Sequence, residues 1–154
     1  KANDSGVGSV LPFSVTLHVR DTCMCLHLQR AARAVARRFD DALRPHGLTN
    51  GQFSLLMSLN RPEPPLMRDV ATLLAMDRTS LTAMLKPLQR RSLLDVVADE
   101  KDRRGRRLIL LDEGRRLLAT ALPEWMRTEA EIEAVPGLAD AETLRNELRA
   151  VSQG

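Results

Sequence analysis

The stretch Asp99–Leu111, DEKDRRGRRLILL, sets a knot of charge directly against an apolar run. Within Lys101–Arg107, five basic residues are interrupted by one acid, Asp102, and one glycine, Gly105. Leu108–Leu111 then continues without a polar break, which reads as a compact strand. Upstream, Leu93–Glu100 (LLDVVADE) alternates loosely and is rich in valine, a second strand. KDRRG is therefore the expected tip of a hairpin, with Gly105 supplying the φ freedom of a turn. By composition alone such a cluster is more often a solvated loop than one built to touch a polyanion. Its neighbours decide.

Immediately before the hairpin, Asp77 is a candidate N-cap for RTSLTAMLKPLQRR. Leu81, Leu85 and Leu88 make an apolar stripe there, while Arg78, Thr79, Thr82 and Lys86 line the other side. LMRDVATLLAM reads as a shorter helix with Val70, Leu73 and Leu74 inward. Two short helices joined by a tight turn, the second with a small polar face, follow helix-turn-helix grammar. Farther upstream, RPEPP is a stiff loop, and Thr49 caps a mostly buried helix through Leu59. Cys25, Leu28, Ala32, Val35, Phe39 and Leu43 share one face of a long helix ended by Pro45 and Gly47, with Arg30, Arg33 and Arg37 on another face. Lys1 to about His18 shows no helical period and reads as a flexible or strapping arm. Downstream, Asp112 is expected to cap a long helix to about Val135, with Pro123 at a bend. Pro136 and Gly137 break it, and Asp140–Val151 forms a last amphipathic helix around Leu144 and Leu148.

Of 154 residues 44% are apolar and 28% charged, a globular balance that excludes a disordered chain. Aromatics are scarce at 3%, so Leu, Ala, Val and Met must fill the core, a bias toward helices. The net charge of +3 does not mark a nucleic-acid binder, but the local cluster can still bind phosphate. Cys23 and Cys25 are too few and too close for a secreted disulfide framework. No run approaches the ~18 apolar residues of a membrane span, and the first residues carry no signal-peptide core. A cytoplasmic protein is expected, with no membrane role.

Three stretches together resemble the MarR family of bacterial winged-helix regulators: GLTNGQFSLL (Gly47–Leu56), LTAMLKPLQRRSLL (Leu81–Leu94) and DEKDRRGRRLILLDEG (Asp99–Gly114). The last is similar to the family's D-x-x-D-R-R followed by L-x-L-T-x-x-G. The resemblance implies a mainly α fold with a two-stranded β wing, a winged helix-turn-helix reading head plus N- and C-terminal dimerisation helices. On this reading residues 1–21 are the arm and 22–154 a single domain. The reading head occupies about 48–111, and the dimerisation helices about 22–45 and 112–152. Leu111 stands where the family usually has a capping threonine, Ser92 replaces its usual glycine, and Pro87 lies inside the recognition helix.

The family likeness implies a homodimeric transcriptional regulator, a repressor, on a palindromic double-stranded DNA operator. Arg104 is the expected minor-groove arginine, with Arg103, Arg106 and Arg107 sharing phosphates and wing support. By resemblance Asp102 pairs with a neighbouring arginine and holds the wing's shape. Arg78, Thr79, Ser80, Thr82 and Lys86 are expected to meet phosphates or base edges. Leu117, Leu118, Leu122, Trp125, Met126 and Ile132, with Leu144 and Leu148, are candidates for a shared dimer core.

Cys25 resembles the reactive thiol of a peroxide-sensing branch, although Gln29, Asn50 and Phe53 stand where that branch has tyrosines. Cys23 and Cys25 are thus a redox or ligand site, alternatively small buried hydrophobes. The effector is a small aromatic molecule or an oxidant; Arg30, Arg33 or Arg37 could hold a carboxylate, alternatively remain solvated. Cys23, Cys25 and His27 do not converge on one helix face, so no metal or cofactor is expected. No catalytic constellation is present, and an enzyme is not expected. A winged-helix protein-interaction module without sequence-specific DNA binding is the alternative.

Overall fold

The computed structural model describes residues 10–153. The chain divides into two compact units, Lys1–Val35 and Ala36–Gly154. The first holds α1 (Phe13–Thr22) and the beginning of α2 (Met24–Leu43), so the division lies inside α2 and not at the 21/22 junction expected for an arm. Within the segment read as an arm lies a helix, α1, that the sequence reading did not expect; residues 1–9 lie outside the described residues. Phe13, Val15, Leu17 and Val19 alternate like a strand, which hides the helix from a periodicity reading. Local chemistry closes it instead. Pro12, at φ −61°, occupies the N-cap, and the Cys23 backbone N–H donates to the Val19 carbonyl at 2.9 Å. None of the described residues in this unit is buried.

In the second unit α2 ends at Leu43, followed by a 3-10 turn, Arg44–His46, and by Gly47 at φ 67°. The left-handed glycine turns the chain into α3 (Asn50–Ser58), whose start is a capping box. Thr49 Oγ1 accepts from the Gln52 backbone N–H at 3.2 Å, and the Thr49 N–H donates to Gln52 Oε1 at 3.1 Å. Asp40 ties α2 to this point by accepting from the Asn50 backbone N–H and Nδ2 at 2.7 and 2.8 Å.

Next come α4 (Met67–Leu73), α5 (Arg78–Arg90), β1 (Leu94–Ala98) and β2 (Arg106–Leu110). The strands pair antiparallel, Leu94 opposite Leu110 and Val96 opposite Leu108. α6 (Asp112–Glu133) and α7 (Ala141–Gln153) complete the unit. Leu43, Leu55, Leu56, Leu81, Leu85, Leu88 and Leu108 are fully enclosed in an aliphatic core. Trp125 of α6 stacks between Phe39 and Phe53, each pair of ring centroids 5.9 Å apart. Trp125 and the buried Leu118, both candidates for a shared dimer core, therefore pack within one chain. Among the described residues no helix is long and apolar enough to cross a membrane.

Three further expectations need correction. Leu73 is 69% exposed and only Val70 of its helix is buried, because α4 is a seven-residue helix with one turn in contact. Asp112 is not a cap: Leu111 occupies the N-cap without a side-chain bond, and Asp112 is the first helical residue, accepting from Arg115. Gly105 has no positive φ among the described residues. What it provides is room, since a Cβ there would lie 3.3 Å from the Asp102 carbonyl and 3.6 Å from Leu66 Cδ2.

Candidate nucleic-acid interface

The start of α5 is fixed by Asp77, whose carboxylate accepts from the Ser80 backbone N–H at 2.7 Å and the Ser80 hydroxyl at 2.8 Å. These bonds hold the Asp77 carboxyl below its ordinary range. Leu81, Leu85 and Leu88 anchor the helix inward. Arg78, Thr79, Ser80, Thr82 and Lys86 all lie on its exposed side. The geometry separates them, however. Ser80's hydroxyl is spent on the cap, and Thr82 Oγ1 donates to the Arg78 carbonyl at 2.8 Å, leaving its methyl and lone pairs outward. Among the described residues, Arg78 and Lys86 have no acidic partner within 4 Å, a condition that leaves their charge available.

The wing is braced by an ion pair the sequence reading assigned to the wrong acid. Asp99, 7% exposed, accepts from Arg107 Nε at 2.8 Å, and this bond draws its carboxyl below the ordinary value. Arg107 also donates through Nη1 to the Pro64 carbonyl at 2.6 Å, and Leu108 N–H donates to the Pro65 carbonyl at 3.0 Å. Leu66 and Arg107 form a bridge, so the RPEPP loop runs beside β2 as a short third edge. Arg107 is thus a half-buried brace and not one of the outward cations. Asp102 does not pair with an arginine side chain; its Oδ1 accepts from the Arg104 backbone N–H at 3.0 Å, and its carbonyl from the Gly105 N–H at 2.8 Å. Short acids cap turns this way because their oxygens reach the backbone two residues on.

Arg103, Arg104 and Arg106 project from the tip and are exposed. Arg106 Nη1 donates to the Arg103 and Gly105 carbonyls, and Arg103 and Arg104 have no carboxylate within 4 Å among the described residues. Between α4, the start of α5 and the wing lies an open cleft of about 420 Å³. Leu66, Met67, Ala71 and Gly105 give it an apolar lining, and Arg68, Arg78, Arg104 and Arg106 a cationic one, with Asp99 and Asp102 also present. Asp99 and Arg68 escaped the sequence reading. An acid one step beyond the last paired rung of a hairpin, opposite a basic strand, was a usable signal for Asp99; Arg68 gave none, because its place beside the wing depends on the tertiary fold.

Cys25 is exposed, with Gln29 Nε2 3.3 Å from its sulfur, and Cys23 is half-buried, with the Leu26 N–H 3.5 Å from its sulfur. His27 Nδ1 lies 2.8 Å from the Cys23 carbonyl. Phe53, at a position where the peroxide-sensing branch has tyrosine, is buried against Trp125, and Asn50 is held by Asp40.

Helix-turn-helix followed by a braced two-stranded wing defines a winged-helix protein. A model of the MarR family matches residues 46–105. The chain is 35% identical to the M. tuberculosis transcriptional regulator MosR in complex with DNA, covering 85% of this chain and 94% of that one, with a TM-score of 0.77. It is 28% identical to the transcriptional repressor CouR bound to a 23-mer DNA duplex, covering 94% and 99%, also with a TM-score of 0.77. A curated relative, the HTH-type transcriptional regulator TtmR of Methylorubrum extorquens (strain PA1), is 30% identical over 97 residues, 63% of this chain. The matched chain spans half the length of that relative. The chain belongs to the MarR family.

Proposed function

We propose that this protein is a double-stranded-DNA-binding transcriptional regulator that represses as a homodimer on a palindromic operator. One observation carries the reading: the outward cations of α5 and the wing tip lack carboxylate partners, unlike the arginines of α6 and α7. On α6 and α7, Arg115, Arg116, Arg127, Arg145 and Arg149 each have a carboxylate within 4 Å. On α5 and the wing tip, Arg78, Lys86, Arg90, Arg103 and Arg104 have none among the described residues. Arg30, Arg33 and Arg37 of α2 also lack a carboxylate partner among the described residues. Those on α5 and the wing tip, however, lie on the two elements that a winged helix presents to the grooves, and there they form the electrostatic footprint of a nucleic-acid interface. In this reading α5 enters the major groove, and Arg104 the adjoining minor groove, where a narrow A·T-rich stretch concentrates negative potential.

Titration of the intergenic DNA beside the protein's own gene, at several salt concentrations, tests the proposal. Selective binding is expected, with log affinity falling steeply against log salt. Arg104→Ala should cost about 1–3 kcal/mol. Binding that is indifferent to sequence and to Arg104 would favour a protein-interaction module. Release by a small-molecule ligand or by oxidation of the exposed Cys25 completes the proposal. Repeating the titration with peroxide should release the wild type and leave Cys25→Ser bound; release of both would remove the thiol from the mechanism and leave the ligand.

A further inference from the structure

We propose that the cleft between α4 and the wing is the seat of a DNA backbone phosphate, and that Arg68, outside α5 and the wing, is a phosphate-binding residue; this rests on the DNA-binding reading above. The argument begins with the two grooves. A duplex that takes α5 in its major groove and the wing in the adjacent minor groove must pass the strand dividing those grooves between the two elements. The cleft of about 420 Å³ lies there, with Arg78 from the start of α5 on one side and Arg104 and Arg106 from the wing on another. Arg68 of α4 completes the ring.

The charges in the cleft do not cancel. Four guanidinium groups face two carboxylates, and Asp99 is already held by Arg107 at 2.8 Å. Asp102 is turned to the Arg104 backbone N–H at 3.0 Å. Arg68 has a side chain 81% exposed, and its nearest carboxylate, Asp69 Oδ1, lies at 3.9 Å, too far for a hydrogen bond. Like charges collected around one concavity repel, and an anion seated among them relieves that repulsion. Small residues keep the floor low: a side chain at Gly105 would project toward Leu66 Cδ2, 3.6 Å from the added Cβ. A sugar–phosphate segment fits this combination, with apolar wall against the sugar and guanidinium groups toward the phosphate oxygens.

The test measures full-length protein against its operator and against a random duplex over a range of salt. Arg68→Ala is expected to weaken both complexes equally, about fivefold at roughly 0.15 M salt, and to lower the salt slope by about 0.9, the signature of one lost phosphate contact. Arg68→Lys should restore most of the binding, because a phosphate accepts a point charge. Thermal unfolding should not move, since the side chain packs on little. An unchanged Kd and slope in Arg68→Ala, in a protein that still needs Arg104, overturns this inference alone. A loss confined to the operator also overturns it, by making Arg68 a reader of sequence. Failure of the wild type to bind any duplex overturns the inference together with the reading beneath it.

Discussion

Gly114 shows how much a single missing side chain can decide. It lies in the first turn of α6, where an added Cβ would stand 2.2 Å from the Leu93 carbonyl oxygen and 2.7 Å from Leu110 Cδ1. No rotamer relieves a clash with backbone. Gly114→Ala should therefore lose about 1–3 kcal/mol as α6 is pushed off the hairpin, read as a lower urea midpoint; an unshifted midpoint would mean that the helix start can slide. Legibility at this scale follows sequence distance. Thr49 and Asp77 were readable because a cap and the N–H it satisfies lie three residues apart. The role of Gly114 was not, because its neighbour Leu93 comes from the far side of the hairpin. Ser92, at φ 57°, occupies a left-handed position, which explains why a glycine is the family's usual residue there.

Among the elements, the wing was the most legible and α1 the least. Alternating and continuous apolar runs around a turn identify strands locally, whereas α1 buries nothing among the described residues and so leaves no amphipathic signature. What the pattern missed in the wing is its bracing. Arg107 counts in composition as one more cation, yet Asp99 and the Pro64 carbonyl engage it. That brace sets a pH dependence. The Arg107 hydrogen bond lowers the folded-state value of Asp99 below the ordinary 3.8, so the native state binds this proton less readily than the unfolded chain. Its stabilisation is complete above that ordinary value and is lost as pH falls through the lower folded-state value. Asp99→Asn should be less stable than wild type at pH near 6, and the gap should close toward about pH 3. Urea midpoints across that range are the measurement; a constant gap would detach it from the carboxylate.

For the molecule as a whole, α7 leaves an apolar face uncovered among the described residues. None of its described residues is buried, and Leu144 and Leu148 are 38% and 40% exposed on one face with Val151. Arg145 joins it to Glu129 and Glu133 of α6 at 3.5 and 2.6 Å. Exposed pairs of this kind contribute only about 0–1 kcal/mol each. An apolar face held so weakly fits the proposed homodimer, in which α7 of each chain covers the other. Leu148→Glu should then shift the protein from dimer to monomer in sedimentation, and with it weaken operator binding; a dimer that survives the substitution would place the contact elsewhere.

The unpaired cations of α5 and the wing tip have a kinetic consequence. Because Arg78, Lys86, Arg90, Arg103 and Arg104 have no carboxylate within 4 Å among the described residues, the field of a large polyanion pulls on α5 and the wing tip before any contact forms. Encounters then start with the reading head turned toward the duplex, and a larger share of collisions is productive.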